Sequence, residues 1–303
     1  MKNEFTVAGI GELVWDIFPT QKRLGGAPAN FAFHCNGLGA EAFPVSCVGA
    51  DPLGRQLLDE LECLEVNTDY VFESPQYPTG TVEVALKGSK PTYTIREAVA
   101  WDHIPCPPEL KVLAGRLDAV CFGSLSQRSG ESRGSIRSFL RNVPPTALKI
   151  YDINLRAAFF SKQLIEDSLR IATVLKLSDE ELPELANYFS FTGTLMDQLE
   201  QLRACFGLDV IAYTRGAEGS LLMSDKEVDD FPGLEGEAVD SVGAGDSFTA
   251  AMCMGLLKGW SLQDVNLFAS EVSTFVCMQR GATPELPHDL INKVSAKIAE
   301  ITQ

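Results

Sequence analysis

The sequence carries no excess of positive charge: 25 Lys and Arg stand against 41 Asp and Glu, a formal net charge of −16. Nucleic acids and anionic membrane surfaces need clustered cations, so neither partner is expected. No run of about eighteen apolar residues is present, so no membrane-crossing helix is expected. The opening "MKNEFTVAGIGELVWD" has neither the apolar segment nor the small-residue cleavage site of a secretory leader. Histidine is scarce, and His34, His103 and His288 show no metal-ligand spacing and no nucleophile beside them, which makes metal-hydrolase and triad chemistry poor candidates. The eight cysteines form no C-x-x-C pair. Several lie in apolar runs such as "VSCVGA" and "AVCFGS", where a thiol behaves as a small hydrophobe. A reducing, cytoplasmic setting without disulfides or zinc follows.

Two nucleotide fingerprints are also missing. "GIGELV" supplies Gly9 and Gly11, but Val14 stands where G-x-G-x-x-G needs its third glycine, and no G-x-x-x-x-G-K-[ST] occurs. A nicotinamide oxidoreductase or a P-loop enzyme is therefore disfavoured, and any phosphate site must be built differently.

What is present is an ordinary globular composition, 45% hydrophobic and 22% charged over 303 residues. Short apolar strands ("FTVAGIG", "AFPVSCVGA", "LDAVCFGS", "LKIYDIN", "ATVLKLS", "LDVIAYT") alternate with helical stretches. The latter include "PANFAFHCNGLG", "GESRGSIRSFLRNV", "GTLMDQLEQLRACFG" and "DPLGRQLLDELECL", with Asp51 as N-cap and Pro52 at the first helical position. This rhythm indicates an α/β protein on a largely parallel sheet. One segment breaks it. In "TGTVEVALKGSKPTYTIREAVAWDHI" the period is two on either side of the turn candidate "KGSK", which predicts a β-hairpin. An antiparallel insert of this kind projects as a lid or dimerisation flap, joined by the extended "ELVWDIF".

"VDSVGAGDSFTA" (Val239–Ala250) holds the strongest local signal. Gly243, Ala244 and Gly245 lead into an apolar helical run, and amides at a helix start welcome an anion. Asp246 closes the loop with a negative charge. In one reading it is a helix N-cap above a tight turn. In the other it takes the proton of a substrate hydroxyl that attacks phosphorus, while the neighbouring amides hold the phosphoryl group.

"VDSVGAGDSF" resembles the C-terminal signature D-[TS]-x-G-A-G-D-x-F of the ribokinase-like (PfkB) carbohydrate kinases. Gly25, Gly26 and Asn30 of "LGGAPAN" match the N-terminal signature, a G-G-x-x-x-N run opening a helix. "GELVWD", "GGAPANFAF", "GSLSQR" and "DINLR" look most like fructokinases. The resemblance implies a ribokinase-like fold: a three-layer α/β/α sandwich with a mainly parallel central sheet and a small β-hairpin lid. It implies one kinase domain over residues 1–303, with lid segments near 12–25 and 79–102.

Roles follow from the resemblance. Asp246 would be the catalytic base, with anion-hole amides from Gly243, Ala244 and Gly245. Asp16, Gly26 and Asn30 would bind sugar hydroxyls, with Trp101 and Arg128 lining the pocket by looser analogy. In "YDINLR", Asp152, Asn154 and Arg156 alternate along a strand end and so point one way. Asn154 would contact the sugar, and Arg156 would be a cation near the phosphoryl group or the sugar. In "LKLSDEEL", Ser178 and Glu181 have capping-box spacing. The resemblance puts Ser178 among the nucleotide contacts, at a position where family members commonly carry Asn, and Glu181 would act through water on Mg²⁺. Thr214, Gly216 and Gly219 of "YTRGAEGSLL", together with Gly281, would lie against ATP, although T-R-G-x-x-G is also a good hairpin turn. Asp240 and the Val242 carbonyl, with the backbone near Gly281, align with a monovalent-cation site, K⁺ in many relatives. The expected reaction is ATP-dependent phosphorylation of fructose. Ribose, 2-keto-3-deoxygluconate, a nucleoside, or a catalytically silent sugar-binding regulator are the alternatives. An exposed hairpin edge allows a homodimer through the lid.

Overall fold

The computed structural model describes residues 5–87 and 90–296. In chain order the elements are β1 (Thr6–Ile10), β2 (Val14–Ile17), β3 (Lys22–Gly25), α1 (Ala27–Gly37), β4 (Glu41–Gly49), α2 (Pro52–Cys63), β5 (Val71–Ser74), β6 (Gly80–Lys87) and β7 (Lys90–Ile95). Next come α3 (Pro108–Ala114), β8 (Ala119–Phe122), α4 (Gly130–Asn142), β9 (Leu148–Asp152), α5 (Lys162–Leu169), β10 (Val174–Ser178), α6 (Leu182–Phe189) and α7 (Leu195–Phe206). The last third runs β11 (Val210–Thr214), β12 (Ser220–Met223), β13 (Val228–Phe231), α8 (Ala244–Leu257), α9 (Leu262–Cys277) and α10 (His288–Ala296).

Nine strands form one sheet in the order β13-β12-β11-β10-β9-β8-β1-β4-β5. The pairs from β11 through β5 are parallel, and β12 and β13 extend the sheet antiparallel beyond β11. Neighbouring residues on each strand feed opposite cores, as period two requires. Ala8, Phe122, Tyr151, Leu175 and Ile211 pack against α3 to α7, while Val7, Cys121, Ile150, Val174 and Ala212 pack against α1, α8, α9 and α10. Apolar faces on both sides explain the near-continuous hydrophobic strands. The result is the three-layer α/β/α sandwich of the ribokinase-like fold.

Local signals behave as read. Asp51 Oδ1 accepts from the Gly54 amide at 2.8 Å at the head of α2, and Pro52 occupies its first turn. Thr194 and Asp197 form a reciprocal capping box on α7, and Gly207 ends that helix with φ 67°. No helix among the described residues is long and apolar enough to cross a membrane.

The irregular segment differs from a simple hairpin. β6 and β7 pair antiparallel, with the expected turn residues Gly88 and Ser89 outside the described residues. β2 joins β6 in parallel and β3 antiparallel, giving a four-stranded sheet, β3-β2-β6-β7. Both expected lid segments thus fuse into one small sheet. Trp15 Nε1 donates to Leu53 O at 2.9 Å, and the Thr79 amide donates to Asp51 Oδ2 at 2.8 Å, so α2 anchors it.

Candidate active site

β1 sits where the chain turns both ways in the sheet, with β4 on one side and β8 on the other. The crevice outside the carboxyl ends of such strands is where α/β sheets place ligands. Here the strand ends deliver Gly11 and Glu12 (after β1), Asp152 (β9), Ser178 (β10) and Thr214 (β11), and the start of α8 meets them.

Asp246 is the third residue of α8, whose N-cap is Gly243 with φ 80° and no side-chain cap. The N-cap reading of Asp246 is therefore excluded. A Cβ at Gly243 would stand 2.6 Å from the Cα of Ala282, so the turn demands glycine on both conformation and space. First-turn amides have no partner within their own helix. The Ala244 amide donates to Ser241 O at 3.3 Å, whereas those of Gly245 and Asp246 have no acceptor among the described residues. The Asp246 carboxylate accepts from Asn30 Nδ2 at 2.7 Å, uniting residues 216 positions apart. Burial and the nearby Asp152 push Asp246 up to about 6, against the Asn30 hydrogen bond and the charges of Lys176 and Arg156. A carboxyl poised there is matched to accepting a proton near neutrality.

Beneath the loop lies a charge cluster of which the sequence reading marks Asp152 but not Lys176 or Thr249. Lys176 Nζ donates to Asp152 Oδ1 at 3.1 Å, and both side chains are buried. Thr249 Oγ1 stands 3.0 Å from Asp152 Oδ2 and 2.9 Å from Gly245 O. A Cβ on Gly245 would come 3.0 Å from Lys176 Nζ, so glycine here lets an ammonium reach the helix start. Burial alone would lower the Lys176 pKa, but Asp152, Glu181 and Asp246 outweigh it and hold the amine protonated. The signal was available: in "VLKLS" a lysine occupies an alternate position of an otherwise buried strand, where an unpaired charge is not tolerated. Glu12 was also passed over. It is 5% exposed, and burial raises its pKa beside Asp246 and Arg156.

Two cavities flank the Gly245–Lys176 contact, Gly245 lining one and Lys176 the other. An apolar cleft of about 290 Å³ is lined by Thr214, Gly216 and Gly219 on one wall, Cys277 and Met278 on another, and Ala244 and Gly245 at the base. The turn 216–218 both connects antiparallel β11 to β12 and shapes this cleft, so its two sequence readings hold together. The second cavity, about 410 Å³, is charged: Asn154, Arg156, Lys176, Ser178, Glu181 and Glu184 line it. The alternation expected for Asp152, Asn154 and Arg156 fails, because β9 ends at Asp152 and Asn154 turns left-handed at φ 42°. Asn154 and Arg156 nevertheless reach this cavity by the loop. The capping box at Ser178 is only half made: the Ser178 amide donates to Glu181 Oε2 at 2.8 Å, but α6 starts at Leu182 without a side-chain cap. Glu181 Oε1 accepts from the Leu155 amide at 2.8 Å. A carboxylate held by two amides keeps lone pairs for water. No cluster of three or more metal-ligating side chains exists among the described residues. That donor set suits Mg²⁺, which takes one or two carboxylates and completes its shell with phosphate and water.

On the acceptor side, Asp16 lies along the glycine pair: a Cβ at Gly25 would be 2.8 Å from Asp16 Oδ2. Gly26 has φ 121°, and a Cβ there would collide with the Glu12 carbonyl. Burial pushes Asp16 up to about 6, opposed by Arg156 and Arg23. The structure therefore gathers Asp16, Gly26, Asn30, Arg156 and Asp246 on one side of the loop. Trp101 and Arg128 it places elsewhere. Trp101 is fully buried in the core under the small sheet, with Arg128 stacked 4.0 Å from its ring centroid. Arg128 is fixed by Asp102 at 2.8 and 2.9 Å and donates to Arg96 O. Behind the loop, Asp240 accepts from the amides of Val242 and Gly281, both at 3.2 Å, and pairs with Arg23 at 2.5 Å. His34, lowered to about 4 by burial, is neutral and donates from Nε2 to Ala282 O at 2.9 Å, bracing the residue that backs Gly243.

Comparison with known proteins identifies the family. A sugar kinase of Pyrococcus horikoshii, itself uncharacterized, is 30% identical over 296 residues, 91% of each chain. Its crystal structure in complex with ATP superposes with a TM-score of 0.81 over 95% of this chain and 99% of that one, at 28% identity. A fructokinase of Salmonella typhimurium is 26% identical over 299 residues, 92% of this chain and 95% of its own. The fructokinase of Vibrio cholerae O395, solved with fructose, ADP and calcium ion, shares the fold with a TM-score of 0.81 at 23% identity, over 96% of this chain and 99% of that one. The family described as pfkB family carbohydrate kinase matches residues 6–289, and the chain belongs to it.

Proposed function

We propose that the protein transfers the γ-phosphoryl group of Mg²⁺–ATP to a hydroxyl of a neutral sugar, fructose first among the candidates. The observation that carries this reading is the convergence at one helix start. Asp246 is half-open and bonded to Asn30, the Gly245 and Asp246 amides are free, and Lys176 stands beside Gly245.

The apolar cleft takes the nucleoside, with exposed Leu234 and Met278 at its rim offering flat apolar contact to a purine. The triphosphate passes Gly245 toward the charged cavity. Glu181 would hold Mg²⁺ there through water, and the ion would supply positive charge against the phosphates. Asp246 removes the proton of the attacking hydroxyl, which Asn30 and Asp16 orient. The free amides of α8, Lys176 and Arg156 balance the charge on the transferring group. The small sheet acts as a lid that excludes water, the competing nucleophile.

The charge around the acceptor side favours a neutral polyol. Glu12, Asp16 and Asp246 surround Arg156 there. A keto acid such as 2-keto-3-deoxygluconate would meet three carboxyl groups. Arg128, a cation it could recruit beside Arg156, is already committed to Asp102 and the Arg96 carbonyl. The likeness to fructokinases supports fructose over ribose and nucleosides.

A coupled ADP-release assay over fructose, ribose, 2-keto-3-deoxygluconate and nucleosides tests the reading. Fructose-dependent ADP release with the highest kcat/KM is expected. No sugar-dependent release with any acceptor would remove the kinase assignment, and a clear preference for the keto acid would remove the charge argument.

A further inference from the structure

Arg23 lies on β3, the edge strand of the small sheet, directly opposite Asp16 on β2. Residues facing each other in an antiparallel pair project from the same side. Asp16 points to the acceptor side of the site, and Arg23 reaches across 217 positions of sequence to Asp240, at 2.5 Å. The Phe18 ring packs 5.2 Å from the guanidinium carbon and steadies it. Asp240 in turn holds the amides of Val242 and Gly281. Val242 precedes Gly243, and Gly281 precedes Ala282, the residue against which Gly243 rests. One ion pair therefore joins the small sheet to both backbone segments that shape the helix start.

The carboxylate expected to hold a monovalent cation is thus already engaged. Oδ2 pairs with Arg23 and accepts from Gly281, and Oδ1 accepts from Val242. Oδ1 keeps a lone pair, but a K⁺ there would stand against the guanidinium charge already on the same carboxylate.

We propose that Arg23 is a positioning residue that ties seating of the small sheet to the order of the glycine loop, supplying at Asp240 the positive charge a monovalent cation would otherwise bring. The proposal rests on the kinase reading for its kinetic consequence only. When Asp16 engages the sugar, β2 and its partner β3 are held down, and Arg23 fixes the loop whose amides receive the phosphoryl group. The chain then carries its own cation, and turnover does not depend on K⁺.

The test compares wild type, Arg23→Ala and Arg23→Lys in potassium chloride and in tetramethylammonium chloride of equal ionic strength. Each condition is run with and without guanidinium chloride far below denaturing concentration. Wild type keeps the same kcat in both salts to within about twofold. Arg23→Ala in tetramethylammonium loses kcat by about tenfold or more, because small displacements of a reacting centre cost rates of this order. K⁺ or guanidinium restores part of the loss, and Arg23→Lys falls between. A merely structural arginine would lower the melting temperature without this ion-specific recovery of kcat. Melting temperature is read in the same salts, independently of turnover. K⁺ or guanidinium raises it in Arg23→Ala and leaves wild type unchanged. Wild type that loses turnover without K⁺, or Arg23→Ala that keeps full kcat in tetramethylammonium, overturns the proposal. If Arg23→Ala does not fold, Arg23→Lys decides by the same readings. If wild type phosphorylates no acceptor, the kinase reading falls, and the melting arm alone decides whether Asp240 holds Arg23 in place of an ion.

Discussion

Two carboxylates of the site, Asp152 at the end of β9 and Asp246 at the start of α8, are held in opposite ways. Asp152 is 4% exposed, paired with Lys176, and within reach of the Thr249 hydroxyl. Asp246 opens to the crevice, and its hydrogen-bond partner among the described residues is the neutral amide of Asn30. Burial and the neighbouring Asp152 raise it to about 6. The contrast assigns the work: a sealed, compensated carboxylate anchors a cation, and an open, under-compensated one is free to take a proton.

Replacing the open carboxylate breaks this contrast most severely. Asp246→Asn keeps an acceptor for Asn30 but no base, so kcat should fall by about 10²–10⁴-fold with little change in ATP binding. Stability should move the other way. A carboxyl at about 6 in the fold, against its ordinary 3.8, stabilises the protein fully below 3.8 and loses that contribution as pH rises through about 6. At pH 7.5 the ionised group therefore opposes folding. Its removal should raise stability by on the order of 1–2 kcal/mol, allowing for partial exposure. Parallel ADP-release and thermal-melting measurements check both signs, and a variant with near-normal kcat would take Asp246 out of the mechanism.

The paired carboxylate predicts the reverse. Lys176→Met leaves Asp152 buried without its cation, which should cost about 3–5 kcal/mol in urea unfolding. Adding Asp152→Asn removes the stranded charge and should restore most of that stability. Turnover of the double variant should stay down by about 10²-fold, as for loss of one donor to a transition-state anion. Recovery of kcat together with stability would show Lys176 to be purely structural.

The two regions also differed in how far the sequence revealed them. The glycine loop and Asp246 are contiguous, so their chemistry is local and could be read from ten residues. Lys176, Asp152 and Thr249 come from three elements, and only the sheet register brings them together. Lys176 still left a trace, as a charge on a buried strand. The small sheet was half legible: its hairpin shows period two, but the parallel pairing of β2 with β6 spans more than sixty residues and leaves no local mark. At the sheet edge, the hairpin turn of T-R-G-x-x-G marked the antiparallel step into β12, whereas β13 had no such mark. Trp101 and Arg128 look like pocket residues by type, yet burial and the Asp102 pair make them the packing beneath the small sheet.

The pH profile sharpens the comparison with a smaller effect. Asp16 and Asp246 both stand at about 6 in the free protein. The proposed mechanism needs deprotonated Asp246 as base and deprotonated Asp16 as a hydroxyl acceptor, so kcat/KM should rise with pH through this range. Below it, two required ionisations give a limiting slope near 2, about a hundredfold per pH unit. Asp16→Asn should raise the sugar KM and reduce the slope by one. The difference between the two profiles cancels any titration of the nucleotide. An unchanged slope would mean that Asp16 does not titrate in the working range.

The smallest effect is expected at Ser178, which stands where the family resemblance leads one to expect asparagine. Glu181 is oriented by the amides of Leu155 and Ser178, neither of which depends on the residue-178 side chain. Ser178 lines the charged cavity, but no hydrogen bond of its hydroxyl is found among the described residues. Ser178→Asn should therefore leave kcat and the KM for Mg²⁺–ATP within about threefold of wild type, the range of substitutions that break no buried contact. Glu181→Gln is the counterpart: it keeps the shape but removes the charge proposed to hold the metal through water, and it should raise the Mg²⁺ requirement more than Ser178→Asn does. If the serine variant shifted Mg²⁺ dependence as strongly as the glutamate variant, the side chain at 178 would belong to the metal's surroundings, and backbone amides alone would not explain how Glu181 is aimed.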